Sequence, residues 1–488
     1  MTKGKKRSAT KILVTSLIII CFVYFLFNFY SIKTNSSPAW TPGGHNNNLF
    51  YPRPSSVLIK KPALELIWTS SYIPLNRRGE YTTRAQHLST FNNSGSIFLA
   101  VLRGGVTMFN EFGEMLFQNR ARDGAFGTVA ELEGEGLWSV VAFADSSICI
   151  FNSKGMIQRK LLIPNRVDQI FAADLDNDGK YELLTSEREK IPSSDVFKRV
   201  DWDKRTIKCY NAVTFERKWE FRTATIPFVD AVEDINNDGY KEIVCGTHSL
   251  ENSISYGDMI DSNRTYIFLL DHLGNRIWMR TYVATFGRMR TSVADLDNDG
   301  TWEIIVSGNS WLKNWGFVNV LRATDGKILY SFPDKGALDY SITEHGIADL
   351  DGDGIKEIVC SSVGKKGSFF VLNNRCQPTG KEYRVTPASM NYDYIHCRLA
   401  VLNDIDGDGK IEIIGSSIVE KIIANDPRFM YSQYNEQQFV ILSSECNEKL
   451  KTQLGGEIIV SDLIPGGGNE IIILGEEVSV YKLKEEEY

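Results

Sequence analysis

The sequence predicts an all-β protein, a β-propeller of eight four-stranded blades, or seven, standing behind one N-terminal transmembrane helix. Three observations predict it. A nine-residue Asp-rich motif recurs five times, an apolar and mostly β-branched run follows the copies, and an uncharged run of nineteen residues, Ile12 to Tyr30, lies near the N-terminus.

The repeat sets the architecture, because self-similarity at a period of 40 to 60 residues marks arrays and propellers. The strong copies are DLDNDGKYE from Asp174 to Glu182, DINNDGYKE from Asp234 to Glu242, DLDNDGTWE from Asp295 to Glu303, DLDGDGIKE from Asp349 to Glu357 and DIDGDGKIE from Asp404 to Glu412. Weaker copies at Thr90 to Phe98, Glu131 to Ser139 and Asp462 to Glu470 keep the frame, so that eight units begin 41 to 61 residues apart. A short apolar stretch precedes each loop, a run such as Glu303-Ile304-Ile305-Val306 follows it, and turn residues then lead into further strands. Four short antiparallel strands per unit read as propeller blades rather than as a helical solenoid. The last unit ends one strand short after Val478 to Lys482, and the segment near 62–72, with Leu64-Glu65-Leu66-Ile67-Trp68, resembles the fourth strand Asn275 to Tyr282. Pairing the two would close the ring and remove two open sheet edges. Seven blades result if the Thr90 unit is only a decorated connection.

Ahead of the propeller, read as residues 61–488, the chain divides into three parts. Residues 1–11 form a basic segment with Lys3, Lys5, Lys6, Arg7 and Lys11 and no acid. Residues 12–30 are long enough to cross the hydrocarbon core as a helix, and no small-residue cleavage site follows them, which favours an uncleaved signal anchor over a signal peptide. The preceding cations place the N-terminus in the cytoplasm and the rest of the chain outside, at a cell membrane crossed once. Residues 31–60, rich in Asn, Ser, Pro and Gly, read as a flexible linker.

The net charge is −7, and without the five leading cations the remainder carries −12. So acidic a body excludes a nucleic-acid partner, which needs a basic face. Cys149, Cys209, Cys245 and Cys360 lie in apolar runs and read as small core residues. Cys376, Cys397 and Cys446 lie in or near turns, and the sequence leaves their pairing open.

With the following Glu-Ile-Val strand, the loops resemble the FG-GAP or VCBS repeats of integrin α-subunit propellers and of many secreted bacterial proteins. The likeness covers about residues 62–488 and is nearer to the generic bacterial-type repeat, because the Phe-Gly and Gly-Ala-Pro elements of the integrin version are largely missing. It implies a propeller and calcium, and leaves the biological role open, since the repeat is a structural cassette.

The residues point to calcium on their own account. Calcium takes six to eight hard oxygens, and Asp-x-Asp-x-Asp-Gly places alternate side chains on one side of a loop. The expected ligands are Asp174, Asp176, Asp178 and Glu182; Asp234, Asn236, Asp238 and Glu242; Asp295, Asp297, Asp299 and Glu303; Asp349, Asp351, Asp353 and Glu357; and Asp404, Asp406, Asp408 and Glu412. A simple turn gains nothing from the 19 carboxylates these loops collect, whose like charges repel. The final carboxylate stands at the ninth position and precedes a strand, which rejects the EF-hand with its Glu at position twelve. The Glu131 and Asp462 units are not expected to hold calcium, which in the five strong loops should be structural.

For a partner, the first strand of each blade should line the channel, with Arg288, Arg290, His345, His396 and Arg398 near one mouth. The connections between second and third strands, long notably from Glu187 to Asp203, His248 to Asn263 and Glu420 to Tyr434, should carry aromatics across the units: Trp202, Tyr256, Trp311, Trp315, Tyr431 and Tyr434. A glycan or protein ligand fits such a surface, as a non-catalytic binding or adhesion module. The alternative is a carbohydrate-active enzyme of polysaccharide-lyase type, which a tight constellation of His345, His396, Arg288 and Arg290 around one cavity would favour. No nucleophile elbow, zinc helix, phosphate loop or dinucleotide fingerprint is present.

Overall fold

The structure is a computed structural model. It describes residues 61–70 and, between 88 and 486, all but a set of short segments, of which 190–203 is the longest. The basic segment, the expected membrane span 12–30 and the linker 31–60 lie outside the described residues, as do Trp311 and the tip of the connection after Glu187.

Every described element is a strand. The strands pair antiparallel in repeated sets of four, in chain order in all but the last; His248 opposite Arg288, and Val363 and Gly364 opposite His396 and Ile395, join neighbouring sets into two eight-stranded sheets, and Ser255–Tyr256 pairs apart with Met259–Ile260. The first set is Leu88–Phe91, Ser94–Val101, Gly105–Asn110 and Met115–Asn119; the next is Gly127–Glu131, Trp138–Ala144, Ser147–Phe151 and Ile157–Leu162. The units that carry the strong Asp motifs follow: Arg166–Ala173, Glu182–Glu189, Lys204–Asn211 and Arg217–Thr223; then Ile226–Glu233, Glu242–His248, Arg264–Leu270 and Arg276–Val283. Next are Gly287–Ala294, Glu303–Ser310, Trp315–Arg322 and Ile328–Phe332; then Ser341–Ala348, Glu357–Gly364, Ser368–Leu372 and Pro378–Arg384; then Tyr394–Asn403, Glu412–Asp426, Phe429–Leu442 and Glu448–Thr452. In the last, Glu457–Ser461, Glu470–Leu474 and Val478–Glu486 are completed by Lys61–Ser70, which pairs antiparallel with Val478–Glu486 from Lys61 opposite Glu486 to Ser70 opposite Val478.

Burial explains the layering. Where their burial is described, second and third strands are covered on both faces, as in Glu242–His248 and Ser368–Leu372, whereas fourth strands such as Ile157–Leu162 and Pro378–Arg384 alternate with solvent. The apolar clusters lie between units rather than within them. Phe171, Leu184, Ile207 and Cys209 of one unit pack on Val229, Ile243, Cys245 and Phe268 of the next, and Ile267 and Leu269 of that unit pack on Met289, Val293, Ile304 and Leu321. The first strands of successive units, from Gly127–Glu131 to Glu457–Ser461, lie side by side in chain order. Sheets stacked face to face around adjacent first strands form a β-propeller.

Two expectations are corrected or resolved by the described residues. The segment from Glu420 to Tyr434 is not a long loop: the paired strands Glu412–Asp426 and Phe429–Leu442 run through it, because Ile418, Val419, Ile422 and Ile423 find cross-strand partners in Gln437, Glu436, Ser432 and Tyr431. The seven described cysteines are all free and buried, and Cys397 lies within a strand. Cys376 and Cys446 occupy positive-φ positions, at 58° and 59°, in the turns before fourth strands.

Candidate metal centres

Each strong motif forms the turn between the first and second strands of its unit, and one hydrogen-bond frame recurs in all five. The sixth-position N–H donates to Oδ2 of the first Asp: Gly179 to Asp174 at 3.0 Å, and Gly239 to Asp234, Gly300 to Asp295, Gly354 to Asp349 and Gly409 to Asp404 at 2.9 Å. The seventh N–H donates to Oδ1 of the fifth residue, as from Lys180 to Asp178 and from Ile355 to Asp353, both at 2.7 Å. These bonds curl the backbone so that side-chain oxygens converge. The curl needs positive φ at two positions. The sixth is always Gly, at 81° to 90°, and the fourth is Asn177, Asn237, Asn298, Gly352 or Gly407, the residue types that tolerate the left-handed region. The Asn-or-Gly choice at the fourth position is a signal that the carboxylate pattern overshadows.

The ninth-position Glu is buried in every copy and its Oε2 accepts the N–H of the second residue: Leu175 to Glu182, Ile235 to Glu242 and Leu350 to Glu357 at 2.9 Å, Leu296 to Glu303 and Ile405 to Glu412 at 3.1 Å. Glu470, in the unit without the Asp ligands, does the same toward Leu463 at 2.8 Å and Ile464 at 3.1 Å. This carboxylate therefore ties the loop to the strand whether or not Asp ligands stand beside it. Burial pushes the Glu242, Glu303 and Glu412 carboxyls up to about 7, and raises those of Glu182, Glu357 and Glu470.

Four loops bring three carboxylate oxygens within 4.8 Å of one another: Asp174, Asp176 and Glu182; Asp295, Asp297 and Asp299; Asp349, Asp351 and Asp353; Asp404, Asp406 and Glu412. Oxygens on opposite sides of one calcium ion, at about 2.3–2.6 Å each, stand about 4.6–5.2 Å apart. The donor set and its spacing therefore fit calcium, which would supply the positive charge these oxygens lack. In the Asp234 loop, Asn236 Nδ2 donates instead to Asp238 Oδ2 and Glu242 Oε1, both at 3.1 Å. Of the expected ligands in the other four loops, Asp178, Glu303, Glu357 and Asp408 lie outside the tight groups. Neighbouring loops interlock: Lys241 N–H donates to Leu175 O at 2.9 Å, Lys356 N–H to Leu296 O at 2.8 Å, Asn177 Nδ2 to Gly239 O and Asn298 Nδ2 to Gly354 O.

Of the residues expected near a channel mouth, His345 and His396 make separate contacts. His345 is buried, with Nε2 at 2.6 Å from Ser292 Oγ and Nδ1 at 2.7 Å from Ser307 Oγ of the preceding unit; burial, with the Arg290 charge nearby, pulls its pKa down to about 3. His396 Nε2 lies 2.8 Å from Glu420 Oε2 in its own unit. Arg288 and Arg290 stand on Gly287–Ala294, Arg398 on Tyr394–Asn403, and Trp315 opens Trp315–Arg322. Other charged groups among the described residues are buried and paired. Asp168 takes Arg166 and Arg188; fully buried Glu187 accepts from Lys208 Nζ, Asn165 Nδ2 and Thr185 Oγ1 at 2.8 Å and from Tyr210 Oη at 2.9 Å; and Arg205 pairs with Asp261.

The comparisons can be set against this geometry. No family model matches the chain. A stretch of 167 residues is 28% identical to human integrin alpha-IIb, covering 31% of this chain and 16% of that protein. Among solved structures, the chain is similar to the Dos1 propeller, with a TM-score of 0.47 at 12% identity over 79% of this chain and 88% of that one. It is also similar to quinohemoprotein alcohol dehydrogenase of Comamonas testosteroni, with a TM-score of 0.48 at 11% identity over 87% of this chain and 78% of that one.

Proposed function

We propose that this chain is a membrane-anchored, extracytoplasmic β-propeller of eight blades that loads calcium on its Asp loops and serves as a non-catalytic binding or adhesion module for a glycan or protein ligand. The observation that carries the reading is the fivefold recurrence of one loop frame between first and second strands, with carboxylates gathered at calcium spacing in four of the copies. The local likeness to an integrin α chain points the same way. The repeated sets of four strands, with Lys61–Ser70 paired to Val478–Glu486, support the reading of eight blades. The lyase alternative loses support because His345 and His396 are held in separate contacts, one between two serines and one on Glu420.

Elemental analysis and thermal melting of the purified protein, with and without chelator, test the metal. Bound calcium and a chelator-dependent fall in melting temperature are expected from the linkage of binding to folding; a metal-free protein with a chelator-indifferent melt refutes it. Protease added outside intact cells tests the topology. It should reach the propeller and spare residues 1–10, and a protected propeller refutes the anchor. A glycan and protein binding screen, run with and without calcium, then tests the module itself.

A further inference from the structure

The five Asp loops differ in what faces them from the fourth strand. Strand registers place the first residue of the fourth strand alike in these units, with Arg217 opposite Tyr210, Arg276 opposite Leu270, Ile328 opposite Leu321, Pro378 opposite Leu372 and Glu448 opposite Leu442. The next residue is Lys218, Ile277, Leu329, Thr379 or Lys449. Two units thus carry a lysine where the others carry an uncharged side chain.

Both lysines reach into their own acidic loops. Lys218 Nζ lies 2.6 Å from Glu182 Oε1 and 3.6 Å from Asp176 Oδ2. Lys449 Nζ lies 2.7 Å from Glu412 Oε1, 2.7 Å from Asp406 Oδ2 and 3.8 Å from Asp408 Oδ2. The carboxylate grouping follows the same division. In these two loops the ninth-position Glu joins the first and third Asp, whereas in the Asp295 and Asp349 loops the three Asp gather without it. Among the described residues no lysine pairs with the Asp295 or Asp349 carboxylates: Lys356 Nζ is held by the Asp295 carbonyl at 2.9 Å, and Lys381 Nζ by Glu445 at 2.8 Å.

We propose that Lys218 and Lys449 are built-in counter-cations that divide the loops into two classes, tight calcium sites at Asp295 and Asp349 and weak ones at Asp174 and Asp404. The proposal rests on the calcium reading above. A cation entering the Asp174 or Asp404 loop competes with a tethered ammonium for the same Glu Oε1 and third-position Asp oxygens, and charge-assisted hydrogen bonds are the strong ones. Without calcium, the ammonium holds the ninth-position Glu and third-position Asp together, so these two loops keep their shape. In the Asp295 and Asp349 loops no ammonium is seen bonded to the three gathered Asp carboxylates: Lys381, bound to Glu445, acts on Asp351 and Glu357 only through its field, and Lys356 holds the Asp295 carbonyl. The Asp234 loop, one carboxylate poorer, belongs with the weak class.

Calcium titration of the full chain in detergent, by calorimetry, should resolve two tight sites from weaker ones. Lys218→Met with Lys449→Met should raise the tight count from two to four, a gain of tenfold or more in affinity at each altered loop. Asp351→Ala with Asp353→Ala should lower the count by one. An unchanged tight count in the lysine variant, while the Asp variant loses a site, overturns the lysine proposal and leaves the calcium reading standing. A wild-type chain that binds no calcium overturns both. Should the lysine variant not fold, hydrogen exchange on the wild type decides. Residues 295–303 and 349–357 should gain protection at lower calcium than 174–182 and 404–412, and simultaneous protection of all four overturns the proposal.

Discussion

Removing the ninth-position carboxylate from a loop with Asp ligands and from one without separates its two roles. Glu303 is 8% exposed and accepts the N–H of Leu296, itself 2% exposed, at 3.1 Å; Glu470 is 0% exposed and accepts from Leu463 at 2.8 Å and Ile464 at 3.1 Å. Truncation to Ala orphans a buried donor in each case, which costs about 1–3 kcal/mol per donor. Glu303→Ala and Glu470→Ala should therefore both lose stability in chelator, the second at least as much as the first because two donors are freed. Glu→Gln keeps an oxygen for the N–H and removes the charge. Glu303→Gln should then unfold in chelator within about 1 kcal/mol of the wild type, the typical net worth of one hydrogen bond. In calcium it should fall behind by about 1.4 kcal/mol for each tenfold loss of affinity, whereas Glu470→Gln should track the wild type in both conditions. Urea unfolding of the full chain in detergent, followed by tryptophan fluorescence with chelator and with saturating calcium, measures all four variants. If Glu470→Ala costs nothing, the structural role is wrong. If the Glu470 variants change the calcium response as much as the Glu303 variants, the separation of roles fails.

Two further predictions rest on buried charge. Lys208→Met removes the ammonium from fully buried Glu187, and because Lys208 is itself buried the expected cost is about 3–5 kcal/mol, against under about 1 for a surface pair. Adding Glu187→Gln should recover most of it; urea midpoints are the measure, and a single-variant cost below about 1 kcal/mol refutes the buried pair. His345, held near 3 by burial against an unfolded value of 6.5, refuses a proton that the unfolded chain accepts, so its contribution is present above pH 6.5 and lost as pH falls toward 3. The wild type should lose up to about 1.4 kcal/mol per pH unit more than His345→Gln across that window. Parallel stability profiles from pH 7 to about 4.5 would contradict it.

Local chemistry made the loops legible. Carboxylates at alternate positions, Gly at the sixth and Asn or Gly at the fourth are requirements of one short turn, so nine consecutive residues contain them. The strands were equally legible where β-branched runs follow the loops, because burial on both faces leaves no polar alternation to confuse them. The stretch from Glu420 to Tyr434 reads as a loop in the sequence, since polar residues at Gln433, Asn435 and Glu436 hide a hairpin whose stability comes from pairing rather than from pattern.

What the sequence determined by itself was the all-β class, the repeated unit and the acidic loop chemistry, because each is set within a window of a few residues and repeated along the chain. Only the tertiary structure decided which groups face one another across strands and units. Lys218 and Lys449 stand 36 and 37 residues from the glutamates they meet, and nothing near them in sequence distinguishes them from solvated lysines. His345 could be read as a rim histidine until the preceding blade placed Ser292 and Ser307 on its two nitrogens. Contacts of this kind depend on the register of distant strands and on how sheets stack, which the packing of the whole ring fixes and no local pattern encodes.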